Sequence, residues 1–467
     1  MEYSHAALTY AGRIGRSGTL ANAQSFVSPN SLTETCRILA PIPGGDFSDK
    51  DRKQEARLCA IDFYSPSVAL CPKNISTSAG VYLYDISSLT GITTAEYESK
   101  HCGQEVEIAG KKLEADKLGK FKVTMNQSGT SGTTSTSSLL YYQFSRLLDT
   151  LIDIPVSVQR TIDKDVMDQR VAAKSAGKSK MNREAWKWIR AAAARPESYS
   201  PTDDLFTADR KQFYGIILKD SGDRYGAEIN SERKAGWGAP QVREFQTTPA
   251  FLALRSRKPI AEAVAGAPYS AAQMVHWMRE LSEIAVLDYI FSQQDRVGNI
   301  DFQFHWYWID AKGDVTHRKA DTKNIDKKDL TRADMKSIVM PEDIKAFNPV
   351  LIQRSILADN DAGGNPRYAN FAKKTEMVDG LRHFNAGEYR KLQEMVRDFK
   401  SNGPILQHLT SEFGLTAKQL KMVVDNTVEV AGILKANCQA GKLKFDLNPA
   451  RFFTGDSSAD VVDCEGI

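Results

Sequence analysis

The clearest pattern along the chain begins at Ser270. Met274, Trp277, Met278, Leu281, Ile284, Leu287 and Ile290 fall at helical spacing and make one apolar stripe, which predicts a long core-facing helix. Ser270 and Gln273 have capping-box spacing at its start. Polar and apolar residues alternate from Lys120 to Met125, which predicts a strand. Gly80 to Ile86, Ile154 to Asp163 (with Pro155 near its start) and Phe213 to Lys219 read as further strands, and Val106 to Ala109 is a shorter apolar piece. Between Met125 and Ile154 lies a Gly/Ser/Thr loop, 126–138. A helix follows from Leu139 to Ile152, with Leu140, Phe144, Leu147, Leu148 and Leu151 on one face and Ser137 or Ser138 as N-cap. Beyond the long helix, Ile300 to Ile309 is an aromatic strand that turns at Ala311–Asp314, and Val350 to Leu357 is a second apolar run. Helices are expected at about Ala386–Phe399 and Thr416–Ala436.

Residues 1 to about 75 are rich in Ser, Pro and Gly with only short apolar pieces, and read as an extended, loop-rich arm. Lys164–Pro196 is basic and Ala-rich and reads as a helical insertion, and residues 316–345 as a charged exposed one. The polar stretch from Asp220 interrupts the apolar pattern, and the boundary between two lobes falls at its start. The expected organisation is α+β: an N-terminal arm (1–79), a strand-rich unit (80–220) and a mostly helical unit with insertions (221–467).

At 467 residues, 42% hydrophobic and 25% charged, the chain can build two or three core-forming units. Its net charge of +3 gives no case for nucleic-acid binding by bulk electrostatics. No apolar run reaches transmembrane length. An A-x-A-like Ala21-Asn22-Ala23 has no apolar core before it, so a signal peptide is either absent or already removed. Of six cysteines, Cys36, Cys59, Cys71 and Cys102 crowd the first quarter, while Cys438 and Cys464 lie near the end. None forms a C-x-x-C pair, which argues against a zinc site. The even count fits disulfides in an oxidising compartment, with a secreted or periplasmic location slightly favoured; six idle thiols in a cytosolic protein is the alternative.

Candidate chemistry lies between Leu287 and Gly364. Two acidic turns, Asp295-Arg296-Val297-Gly298-Asn299 and Asp359-Asn360-Asp361-Ala362-Gly363-Gly364, each follow an apolar run. Chemistry on a metal-bound phosphate needs a carboxylate near the attacking hydroxyl and oxygen ligands for a divalent cation. The two turns offer both, although Asp, Asn and Gly also dominate ordinary turns. In the Gly/Ser/Thr loop, Ser128, Gly129, Thr130, Ser131 and Gly132 precede a helix and form a candidate phosphate cradle or a simple connector. No Gly-Lys-Ser/Thr closes it, so it is not a Walker loop. Lys122 on the preceding strand can reach phosphate oxygens as a point charge, and Lys120 is its rival on the same face. His305 reads as a packed strand residue.

This order of elements resembles the protein-kinase-like fold in its atypical branches. Asp295-Arg296 with Asn299 looks like the catalytic loop of HipA-type kinases, phosphoinositide kinases and the secretory-pathway casein kinase family, and Asp359-Asn360 with Gly363 looks like their metal-binding loop. The resemblance implies a bilobal protein-kinase-like fold with a loop-rich N-terminal arm and a mostly helical C-lobe. It implies ATP and Mg²⁺ as cofactors and a protein or small-molecule hydroxyl as substrate, with no nucleic acid and no membrane span. By the same resemblance Asp295 would accept the substrate proton, Asn299 and Asp359 would hold magnesium with Asp361 as the rival ligand, and Lys122 would contact the α/β-phosphates. The chain departs from those families at Val297, where they often have His, and in an Asp-to-Asn spacing one residue shorter. No acid lies between Met125 and Leu148 to pair with Lys122. Gln143, Glu105 and Glu107 are the substitutes on offer, and a pseudokinase-like binding protein or an AMP-transferring enzyme are the alternative readings.

Overall fold

The fold is known here from a computed structural model, which describes residues 23–108, 110–219, 235–322, 325 and 337–465. Ala21 and Asn22, most of the Asp220–Pro240 stretch and much of 323–336 lie outside the described residues.

The first lobe is built on strands β1 (Ala23–Val27), β2 (Thr33–Arg37), β3 (Val68–Pro72), β4 (Val81–Asp85), β7 (Asp116–Val123), β8 (Ser157–Asp163) and β9 (Gln212–Leu218). They form one antiparallel sheet in the order β1-β2-β8-β9-β7-β4-β3. A small hairpin, β5 (Val106–Ile108) with β6 (Lys111–Leu113), stands outside it. The expected loop-rich arm is corrected here: its residues supply β1, β2, β3 and helix α1 (Asp49–Cys59). Its Ser- and Pro-rich composition reflects the turns between short strands, and short strands leave little periodicity to read. Ser48 caps α1 with a full capping box to Asp51.

Helix α2 (Ser135–Leu148) crosses behind the sheet. It starts earlier than the apolar pattern suggested, with Thr134 rather than Ser137 or Ser138 at the N-cap, because Ser135, Thr136, Ser137 and Ser138 are themselves buried. Helix α3 (Lys180–Ala194) occupies the basic, Ala-rich segment.

The second lobe centres on α4 (Ala271–Ile290), whose residues from Gln273 to Ile290 are all buried. Ser270 accepts from Gln273 N, but the Gln273 amide donates to Gln353 O instead of completing the box. The polar face of α4 is buried because it fixes the lobe junction. Glu283 accepts from Leu151 N and Ile152 N, both at 2.7 Å, and pairs with Arg279, which also reaches Glu388. Strands β10 (Asp301–Ile309), β11 (Val315–Lys319) and β12 (Val350–Ile356) make an antiparallel sheet in the order β11-β10-β12, so part of the expected charged insertion is a strand. Helices α5 (Ala386–Ser401), α6 (Pro404–Glu412) and α7 (Ala417–Gln439) complete the lobe. Pro404 at the first turn of α6 and the glycine before it mark a helix that the apolar pattern alone did not single out.

Three disulfides join Cys36 to Cys59, Cys71 to Cys102 and Cys438 to Cys464. Each closes a loop of 23–31 residues and on chain-entropy grounds contributes about 3 kcal/mol. The second ties β3 of the arm to the segment before β5. No helix among the described residues is long and apolar enough to cross a membrane.

Candidate functional site

The alternation in β7 sends Lys120 and Lys122 to one face of the sheet, where both are buried. The Lys122 ammonium lies 3.2 Å from Asp359 Oδ1 and 3.0 Å from Asp361 Oδ2. Burial acts to lower its pKa, but the charges of Asp361 and Asp359 outweigh burial and the net shift is upward. The residues offered from sequence as partners for Lys122 are elsewhere. The Gln143 side chain accepts from Ile42 N at 2.8 Å, Glu105 pairs with Lys112, and Glu107 is exposed on β5. The two carboxylates of the 359–364 turn stand in their place.

That turn is fixed from both lobes. Thr134 N donates to Asp361 O and Ser137 Oγ to Asn360 O, each at 2.7 Å, which docks the turn on the start of α2. Gln294 N donates to Ala362 O and Gly364 N to Phe291 O, which joins it to the end of α4. Gly364 is required: its φ is +69°, and a Cβ there would come within 2.9 Å of Ser137 Cβ. The Asp295 turn is closed by the Asn299 side chain, whose Nδ2 donates to Asp295 O at 2.7 Å.

Arg296 couples the two acidic turns. It is buried, makes three contacts of 2.9–3.2 Å with Asp288, and donates to Asn360 Oδ1 at 2.9 Å and to Asp359 O at 3.3 Å. Tyr141 from α2 donates to the same Asp288 carboxylate at 2.7 Å. Burial alone would lower the Arg296 pKa, and Asp288 reverses the sign. Arg296→Leu leaves Asp288 a buried charge without its cation, so stability should fall by about 3–5 kcal/mol. Pairing it with Asp288→Asn should recover part of the loss, which chemical denaturation of the double-mutant cycle measures.

Between the lobes is a cleft of about 590 Å³. Asp295, Gly298, Asn299, Asp359 and Asp361 line it from the second lobe, and Lys73, Tyr82, Lys120, Ser131 and Gly132 from the first. Ser131 and Gly132 are thus at the cleft. Ser128 and Gly129 are turned toward α3, where Trp188 Nε1 donates to Ser128 O and Gly129 lies beside Glu184, while Thr130 Oγ1 donates to Gln127 O within its own loop.

A second loop at the cleft, 74–79 between β3 and β4, escaped sequence reasoning. Ile75, Ser76, Thr77 and Ser78 line the cavity. The start of α3 holds the loop: Asn182 Nδ2 donates to Lys73 O and Ser78 O, and Ser179 Oγ to Ser76 O. Its signal was the small-residue run Ser76-Thr77-Ser78-Ala79-Gly80 between two strand-like segments. Lys73 at its base was also missed. Burial pushes the Lys73 pKa down to about 8; Asp359 opposes this, and Lys122 and Lys120 assist it.

Among the described residues no group of three or more His, Cys, Asp or Glu converges. The cleft offers the carboxylates of Asp295, Asp359 and Asp361 and the amide of Asn299, all with oxygen donors. That suits a hard cation completed by ligand phosphates and water, as is usual for Mg²⁺.

No protein-family model and no curated protein sequence matches this chain. Solved structures similar to it include two crystal structures of the Golgi casein kinase. One is a crystal structure of the Golgi casein kinase with Mn/ADP bound, at TM-score 0.41 and 10% identity, covering 83% of this chain and 76% of that one. The other is a crystal structure of the Golgi casein kinase at TM-score 0.40 and 10% identity, covering 85% and 80%. Both are likenesses in the path of the chain at low identity.

Proposed function

We propose that this chain is an ATP- and Mg²⁺-dependent phosphotransferase acting on a hydroxyl of a protein or small molecule. The observation that carries this reading is the convergence of Lys122 on Asp359 and Asp361 in a cleft that also holds Asp295 and Asn299. Phosphoryl transfer is largely positioning and charge stabilisation, and these are the groups it uses. Asp359, Asp361 and Asn299 would hold the cation, which when bound neutralises charge on the phosphates. Lys122 and Lys73 would face phosphate oxygens. The 74–79 loop would cover the phosphates from above, and Ser131-Gly132 would approach them from the α2 side. Asp295 would take the proton of the acceptor hydroxyl as its oxygen bonds to the γ-phosphorus and the bond to the β-phosphate oxygen breaks. In this reading the phosphate-covering lobe draws β3 and its loop from the first 79 residues as well as using 80–220, and 221–467 supplies the catalytic groups.

The test is turnover with ATP and Mg²⁺ on wild type beside Asp295→Ala and Asp359→Ala, with mass analysis of the product. Addition of a phosphate in wild type alone supports the reading. Addition of AMP moves the protein to nucleotidyl transfer, and no transfer to itself or to any offered hydroxyl substrate speaks for a binding protein. The disulfides support folding in an oxidising compartment. Thiol counting under denaturing conditions should find none free, and six would overturn that placement.

Lys73 gives the cleft a pH signature. Below about pH 8 the empty site carries a charged Lys73; above it the ammonium is lost. Bound phosphates favour the charged form, so binding above pH 8 requires proton uptake. Nucleotide affinity should therefore fall as pH rises from about 8, by up to about tenfold per unit. In Lys73→Met the profile should be flat over the same range, as read by calorimetry at fixed Mg²⁺.

A further inference from the structure

Away from the nucleotide cleft, on the other side of the lobe junction, a cavity of about 430 Å³ adjoins a smaller one of about 360 Å³. They share Asp149, Thr150, Leu151, His317 and Arg354 and have no lining residue in common with the cleft. Sequence reading left His305 as a packed strand residue. In the fold it faces His317 across β10 and β11, with the two Nδ1 atoms 3.1 Å apart, and Tyr307 stacks on His317.

The two walls of the larger cavity differ in charge. The wall from β10, β11 and β12 offers Gln303, His305, His317, Lys319 and Arg354 and no carboxylate. The opposite wall carries both signs. Asp51 there is paired with Arg146 at 2.7 Å, Lys50 and Lys219 are cationic, and Asp46, Asp149 and Asp153 are carboxylates. In the smaller cavity, His276 from α4 is buried, and its Nε2 has no hydrogen-bond partner among the described residues; the same holds for Arg354 Nε, at both cavities. Two buried nitrogens without a protein partner beside a polar cavity are open to a ligand or to water.

We propose that this junction is a second ligand site, which takes the phosphate monoester of a small polyhydroxylated molecule. The phosphate would lie on the sheet wall against His305, His317, Lys319 and Arg354, as imidazole, ammonium and guanidinium groups are phosphate donors. The hydroxyls would donate to Asp46, Asp149 and Asp153 on the facing wall, and those carboxylates would repel a second phosphate. The site spans residues of both lobes, so a ligand there bridges them and can bias how they sit.

Protonation follows from the same walls. Burial pushes His305 and His276 each down to about 3 and lowers His317, with Arg354 acting on all three and Lys50 and Lys319 on His305. On α4, burial holds the Glu280 pKa up near 8, with the Arg354 charge opposing it. A bound dianion reverses the sign of the local potential and favours imidazolium, so binding takes up protons and strengthens as pH falls.

Calorimetric titration of the full chain with glucose 6-phosphate, inorganic phosphate, glucose and Zn²⁺ tests the site. Glucose 6-phosphate should bind, phosphate more weakly, and glucose not at all. Affinity at about pH 5.5 should exceed that at about pH 7.5 by roughly fivefold or more. The double variant His305→Gln/His317→Gln and the exposed single variant Lys319→Gln should each weaken binding by about tenfold, while the cleft variant Lys73→Met binds as wild type. Absence of glucose 6-phosphate binding at the lower pH overturns the proposal, as does binding that survives the double variant. Zn²⁺ captured by the histidine pair in place of any phosphate would likewise overturn it.

Discussion

Asp295→Asn should lower the rate of phosphoryl transfer by about 10²–10⁴-fold, the usual contribution of a positioned general base. Nucleotide affinity in the same variant should stay within about threefold of wild type, since the side chain is assigned to the acceptor proton and not to the phosphates. The substitution is nearly isosteric. The turn is closed by the Asn299 amide on the Asp295 backbone carbonyl, a contact that does not use the carboxylate, so closure of the turn should be preserved. The two readouts separate roles: loss of rate with retained affinity marks a group that acts in the transition state. Loss of affinity together with rate would place Asp295 among the metal ligands and leave the cleft without an assigned base.

Lys122→Met should produce a large stability effect and a diagnostic rescue. Its ammonium stands between Asp359 and Asp361. Removing it leaves two nearby carboxylates without their cation, and one partner of a buried pair typically costs about 3–5 kcal/mol. One of the two should then hold its proton near neutral pH, as carboxylates forced together do. Mg²⁺ can replace the lost positive charge. The melting temperature of Lys122→Met should therefore fall without divalent cation and rise more steeply with Mg²⁺ than that of wild type. A variant as stable as wild type, or one indifferent to Mg²⁺, would mean that the two aspartates do not form a cation site.

The acidic half of the site was legible because its residues are consecutive. Asp295 to Asn299 and Asp359 to Gly364 are short polar runs, each placed by an apolar element before it, and the fold brings both to one cleft. The long helix from Ser270 was legible for a related reason: twenty residues give its period room to show. What the pattern concealed was that the other face of that helix is buried too, because Arg279, Glu280, Glu283 and Asp288 bind partners distant in sequence. The first-lobe side of the cleft was harder. The strands of the first 75 residues are five residues long and separated by turns, so the 74–79 loop at the cleft lay inside what reads as an extended, loop-rich arm. Lys73 is charged and ends a short apolar run, and only the pairing of β3 with β4 brings it toward Lys122. The apparent gap opposite Lys122 came from looking for its acid on the neighbouring helix. The acids come from residues 237 and 239 positions later, a separation that periodicity cannot see.

The central claim is that the cleft binds nucleotide through a cation held by the 359–361 turn. Calorimetric titration with ADP in Mg²⁺ and again in excess chelator, on wild type, Asp359→Ala and Asp295→Ala, tests it most directly because no substrate need be known. Binding is predicted in Mg²⁺ for wild type and Asp295→Ala, with at least about a tenfold loss on chelation or in Asp359→Ala. No binding by wild type under either condition, or binding that ignores both the metal and Asp359, would contradict it.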